Sequence, residues 1–313
     1  MGNIKRYKPY LQQSGLLMSV LLMVGVLTLL SDRFLTAPNL INILRQASIN
    51  GIISAGMMLV ILIAGIDLSV GAILALTVVV TADLMHQGLS PFIAVVSGLG
   101  IGGILGYING WLVSRINVPP FIATLGMMSF SRGLALAYTG GKPVTGLDEG
   151  FRFLGTGVIA NIPMPVIIAF LVFLAGYILL TKTRVGLYLY ALGENQEAAL
   201  FSGIATGFYT KFVFTVSGIL SALAGMILIA RLDSAQPVIG MGYEFDAIAA
   251  VVIGGTSLAG GEGKLSGTLL GVLIIAMLNN ALNLINVSSF YEGIVKGIVI
   301  SLALILHGLV RKL

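Results

Sequence analysis

Ten stretches of this chain stay apolar for about the length a helix needs to cross a bilayer, at about 15–30, 46–65, 68–85, 91–114, 121–139, 163–181, 208–230, 243–262, 266–287 and 290–310. A span takes roughly 20 residues, and in lipid the backbone can satisfy its own polar groups only as a helix or a closed barrel. The runs predict an all-α integral membrane protein, a polytopic bundle of about ten transmembrane helices. Residues 1–313 read as a single transmembrane domain. Composition agrees, because 9% charged residues and a mean hydropathy of +1.04 fall far short of a soluble surface, which carries about a quarter charged residues.

Charge orients the bundle. Both ends are basic, with Lys5, Arg6 and Lys8 before the first run and Arg311 and Lys312 after the last. Positive flanks stay cytoplasmic, so an even number of spans with both termini inside is expected. Arg115, Lys182, Arg184, Lys211 and Lys264 then fall inside, Arg33, Arg45, Lys142, Arg152 and Arg231 outside, and Arg132 and Lys296 within spans. No small-residue cleavage site follows the first apolar run, which therefore reads as an uncleaved span. Cys is absent and His occurs twice, which excludes thiol chemistry and leaves no metal cluster or catalytic group to expect. A net charge of +5, scattered along the chain, does not suggest nucleic acid.

The longest inner interruption, about 182–207, reads as helix. Asn195 suits its N-cap, Glu197 lies in the first turn where acid is favoured, and Gly203 suits its stop. A short amphipathic helix on the cytoplasmic face is expected, either resting there or serving as a handle for a partner. The outer interruption, TGGKPVTGLDEGFRFLGTG, is rich in glycine.

Two segments repeat. LIAGIDLSVG (62–71) and VIGGTSLAGG (252–261) align without gaps, matching Gly65 with Gly255, Leu68 with Leu258 and Gly71 with Gly261. Glycine-interrupted segments duplicated in two halves point to a transport site at their interface. In the fourth span, Gly98, Gly102, Gly106 and Gly110 recur every four residues, a stripe on which another helix can pack closely.

Polar residues inside the spans are few. Asp67 stands ahead of a helix expected to begin near Leu68 or Ser69. With Gly65 and Gly71 allowing a chain break, its carboxylate can accept bonds from free backbone N–H groups as a cap. That break is expected to face the cytoplasm or a water-filled dip. Asn279, Asn283 and Asn286 share one face of the ninth span, with Asn280 beside it. Such amides suit either interhelical hydrogen bonds or a hydroxyl-rich, uncharged passenger. Glu292 and Lys296 form an i,i+4 pair. Arg132 can snorkel, bond carbonyl groups at a break, or line a conduit.

No G-x-x-x-x-G-K-[ST] loop occurs, so no ATP site or other cofactor site is expected. The segments GIDLSVGAILAL, FIATLGMM, GLYLYALGENQEAALFSGI and SAQPVIGMGYEFDAIAAVVIGGTSLAGGEGKLSGTLLG resemble the membrane permease subunits of bacterial ATP-binding-cassette sugar importers, most closely those for ribose, from about Pro38 to Val299. The resemblance implies a homodimer of ten-span subunits in the bacterial inner membrane, a cytoplasmic ATP-binding subunit and a periplasmic sugar-binding protein. It also implies that Gly186, Ala191, Gly193, Asn195, Ala198, Ala199, Ser202 and Gly203 form the segment that couples to the ATPase. Where glycine is common in the family, this chain carries Glu194. GIDLSVG is shared by paralogues for galactose, xylose, arabinose and autoinducer-2, so it marks the family and not the sugar. A self-sufficient ion-coupled sugar carrier is the alternative, with Asp67 or Glu292 as its titrating group.

Overall fold

The computed structural model describes residues 2–285, their side chains from residue 15 onward, and isolated positions at 291, 293, 294, 297 and 298. Asn286, Glu292, Lys296, Arg311, Lys312 and nearly all of the expected span 290–310 lie outside the described residues.

Long apolar runs become helices in chain order: α1 (Gly2–Leu30), α2 (Ala37–Leu62), α3 (Val70–His86), α4 (Pro91–Arg115), α5 (Pro120–Thr139), α6 (Glu149–Thr156), α7 (Met164–Lys182), α8 (Arg184–Glu194), α9 (Gln196–Phe201), α10 (Thr206–Leu232), α11 (Tyr243–Ile253) and α12 (Leu265–Leu284). Proline opens α2, α4, α5 and α7 at the first or second position, where its missing N–H would be unpaired anyway. Among the described residues α2, α4, α5, α7, α10 and α12 are long and apolar enough to cross a membrane, and Gly15–Leu30 and α3 are shorter apolar helices. The protein is therefore all-helical in substance and built as a polytopic membrane protein.

One expected span is corrected. Of the run 243–262, only Tyr243–Ile253 is helical, and 11 residues reach about 16 Å, half a hydrocarbon core. Before it the chain passes Gly240 and Gly242, both left-handed at φ +75° and +86°. That stretch lies against the start of α3, where a Cβ on Gly240 would come within 2.9 Å of Gly71 O. After it, residues 254–264 return as a loop. Within the run, Gly254 and the left-handed Gly255, Gly260 and Gly261 end the helix and turn the chain, so apolarity alone counted loop and helix as one run.

The glycine stripe of α4 does what close packing requires. A Cβ on Gly102 would meet Gly218 O and Ala222, one on Gly106 would strike Phe214 O, and one on Gly110 would press on Lys211. The backbones of α4 and α10 thus touch where side chains would hold them apart. Around this pair α2 and α3 complete a core that includes Met57, Met58, Ile61, Ile73, Leu74 and Phe214. Large apolar side chains on α1, α4, α5 and α7, such as Leu29, Phe92, Phe130 and Phe170, stay exposed on the outside.

The two ends of the bundle differ. At one end strand β1 (Val144–Thr145) pairs antiparallel with β4 (Ser234–Ala235), and β2 (Val158–Ile159) with β3 (Ile162–Pro163). There the glycine-rich loop after α5 holds α6, capped by Asp148, which accepts from Phe151 N–H at 3.1 Å. Asp233 accepts from Leu147 N–H at 2.8 Å and meets Arg152 at 3.5 Å, which fastens that loop to α10. At the other end the breaks after α2 and α11 gather beside α8 and α9.

Candidate functional site

Both aligned segments begin at a helix end and turn there, and they touch each other. Gly261 N–H donates to Leu62 O at 2.9 Å. At the end of α2, Ala64 N–H bonds Ile61 O and Gly65 N–H bonds Val60 O. At the end of α11, Gly255 N–H bonds Val252 O and Thr256 N–H bonds Val251 O. The left-handed residue is Ala64 (φ +59°) in one and Gly255 (φ +88°) in the other. The helix ends therefore correspond one residue out of the expected register, Gly255 to Ala64 rather than to Gly65. Further on the expected register returns. Asp67 Oδ1 accepts from Ser69 N–H at 2.9 Å as Ser257 Oγ accepts from Ala259 N–H at 3.3 Å. One additional residue separates turn from cap in the first segment.

The glycines serve space and not only turning. Gly65 does not take a left-handed φ; a Cβ there would press on Val60. Gly71 lies in the first turn of α3, where a Cβ would collide with Gly240 O and come within 2.6 Å of Glu244 Oε2. Gly261 (φ +72°) instead faces Glu194 in the loop, so Gly71 and Gly261 are not equivalent.

Asp67 does not reach water. Its residue is 0% exposed, and the segment 63–69 folds back between α2, α4, α5 and α10. Asp67 Oδ1 accepts from Ser69 N–H and from Ser69 Oγ at 2.6 Å, and Oδ2 accepts from Ser217 Oγ of α10 at 2.9 Å. Asn109 Nδ2 of α4 donates to Ser69 Oγ at 2.9 Å, and Thr124 Oγ1 of α5 donates to Ile66 O at 3.1 Å. The carboxylate does accept a backbone N–H ahead of α3, as a cap would. The residue at the cap position is however Ser69, and protein donors replace the expected dip.

Arg132 is a carbonyl clamp. From α5 its guanidinium donates to Pro237 O at 2.8 Å, Ile239 O at 2.9 Å and Gly71 O at 3.3 Å. It thereby ties the stretch before α11 to the start of α3. Glu244, buried in the first turn of α11, accepts from Gly242 N–H at 3.3 Å.

The amides of α12 divide. Asn280 is buried and exchanges two hydrogen bonds with Asn39 of α2, at 3.1 and 2.8 Å. Asn279 donates to Asp246 Oδ2 of α11 at 3.2 Å. Asn283 is exposed and bonds Asn279 O within its own helix. The structure does not bring Arg132 to these amides by any hydrogen bond among the described residues.

The segment 182–207 forms α8 and α9. Asn195 Oδ1 accepts from Ala198 N–H at 2.9 Å and caps α9, Glu197 lies in its first turn, and Gly203 (φ +82°) ends it. Ala198 and Ser202 face outward, but Ala199 is 4% exposed and packed inside. Beside it Leu200 is 57% and Phe201 89% exposed. These two apolar residues form the outward tip, a feature that an aromatic in a short, polar-flanked helix could have signalled. On α8, Gly186 abuts Leu180 O, and a Cβ on Gly193 would collide with both Leu62 O and Gly261 N. Tyr190 Oη donates to Gly263 O at 2.8 Å. Burial pushes the Tyr190 phenol above its ordinary value. Ser217, Asn109 and Tyr190 left no local signal in the sequence, because their partners lie tens of residues away.

The family described as branched-chain amino acid transport system / permease component matches residues 39–304. The ribose import permease protein RbsC of Bacillus subtilis (strain 168) is 50% identical, over 95% of this chain and 92% of its own length. The ribose import permease protein RbsC of Escherichia coli (strain K12) is 47% identical over 96% of both. The D-allose transport system permease protein AlsC of the same strain is 43% identical over 90% of this chain and 86% of its own. No solved structure matches the chain.

Proposed function

This chain belongs to the branched-chain amino acid transport system / permease component family, and on that premise we propose that it is the transmembrane permease subunit of an ATP-driven importer of ribose. The observation that carries the reading is the identity of 47–50% to ribose import permeases over nearly the whole chain. It is a transport subunit, not an enzyme, and hydrolysis belongs to a separate ATP-binding partner.

The partner reading extends to a cytoplasmic ATPase that receives α9 and a periplasmic sugar-binding protein at the opposite end, with two copies of the chain side by side in lipid. Exposed Leu200 and Phe201 beside a capped helix end support docking at α9. In this reading the chain crosses ten times, with 236–253 as one broken crossing, and both termini lie on the α8–α9 side, inside a bacterial inner membrane. The matched turns at Ala64 and Gly255 support descent of the two segments from a duplication. Among the pathway candidates, Asn279 and Asn283 suit a sugar better than Asn280, whose amide is occupied by Asn39.

Reconstitution with the cognate ATPase and receptor tests the proposal. Ribose-loaded receptor should raise ATP hydrolysis and drive ribose into vesicles, and galactose or xylose should do so far less. Uptake that follows a proton gradient at constant ATP would instead favour the ion-coupled carrier.

A further inference from the structure

The two chain breaks and the α8–α9 segment meet at one junction, where three contacts converge. Gly261 N–H bonds Leu62 O, which joins the break after α11 to the end of α2. Gly193 of α8 sits directly on that bond, with no space for even one methyl group between itself and both partners. Gly260 completes the contact from the other side, where a Cβ would lie 2.7 Å from Gly193 O and 2.9 Å from Ala64 N. Tyr190, one turn earlier on α8, reaches past the junction to Gly263 O at 2.8 Å. Each break leads inward to a different polar fastening. The first carries Asp67, held by Ser217 of α10. The second ends α11, whose first turn carries Glu244 beside the start of α3, near the carbonyls that Arg132 holds.

We infer that Tyr190 and Gly193 are positioning residues that transmit movement of the α8–α9 segment to both breaks at once. A shift of α8 cannot be absorbed at Gly193, because backbone meets backbone there and packed contacts of this kind are not compressible. It must displace the Leu62–Gly261 pair as a unit, and with it the start of α3 and the end of α11. The bundle interior is thus reached by two arms that leave from a single point. This inference rests on the reading of α9 as the docking element for an ATPase.

The test uses the full complex in proteoliposomes and compares wild type, Tyr190→Phe and Gly193→Ala. Tyr190→Phe keeps the ring and deletes one hydroxyl. It should leave ATPase assembly at the wild-type value and lower the unfolding temperature by no more than the loss of one hydrogen bond accounts for, while ATP hydrolysed per ribose imported rises severalfold. Gly193→Ala should uncouple more strongly, and if it fails to fold, Tyr190→Phe decides alone. Wild-type stoichiometry in Tyr190→Phe would overturn the inference while leaving the importer assignment intact. Absence of ATP-driven uptake in wild type would instead strike the assignment itself.

Discussion

Ser217 of α10 donates a hydrogen bond of 2.9 Å to Asp67, a residue 150 positions earlier in the break before α3. The bond converts an isolated charge in an apolar run into a joint between two elements. Asp67 supplies acceptors at two oxygens, one to the donors of Ser69 and one to the Ser217 hydroxyl. An amide can supply both contacts, because Asn Oδ1 still accepts from Ser69 and Nδ2 can donate to the Ser217 hydroxyl, which rotates to accept. Asp67→Asn should therefore keep most ribose uptake. Asp67→Ala leaves buried donors unpaired at about 1–3 kcal/mol each, so its unfolding temperature and uptake should both fall. Loss of accumulation in Asp67→Asn with normal stability would argue for a titrating carboxylate.

Ala199 and Phe201 separate folding from docking. Ala199 is packed inside the chain, so Ala199→Trp should overpack its site by about 1–3 kcal/mol or more and lower yield and unfolding temperature. Phe201 has almost no contacts of its own to lose. Phe201→Ser should leave stability unchanged and weaken capture of the ATPase subunit in a pull-down. A stable Ala199→Trp chain with selectively weakened capture would reverse this assignment of faces.

Arg132 holds three backbone carbonyls with one planar group. A lysine ammonium keeps the charge but cannot match that fork. Arg132→Lys should release the stretch before α11, with uptake lost and protection from hydrogen exchange reduced across residues 236–244. Wild-type exchange in that stretch would show that the clamp is not what holds it.

The Asn39 and Asn280 pair is expected to be structural. Asn280→Ala should lower stability by about 0.6–1.7 kcal/mol, the range of interhelical hydrogen bonds in membranes, and Asn39→Ala should add little to it in a double-mutant cycle. The ribose concentration for half-maximal uptake should stay at the wild-type value. A shift in that concentration without a stability change would return Asn280 to the sugar pathway.

What the residues determined by themselves was whatever depends on near neighbours. Apolar run length marked α4, α5, α7, α10 and α12 within a few residues and missed the first nine residues of α2, glycine spacing marked the face of α4 that meets α10, and Asn195 announced the cap of α9, since a cap needs only the N–H three positions on. The motif order was enough to identify the family. The tertiary structure decided what depends on rotation and on distant partners. Successive residues on a helix point about 100° apart, so in α9 Ala199 turns inward while Ala198, Leu200 and Phe201 face out, a choice that composition cannot express. Asp67 and Ser217, Asn39 and Asn280, and Arg132 and Pro237 lie more than a hundred positions apart. Their pairing exists only once the bundle packs, because each buried polar group must find a partner from whatever the neighbouring helix brings within about 3 Å.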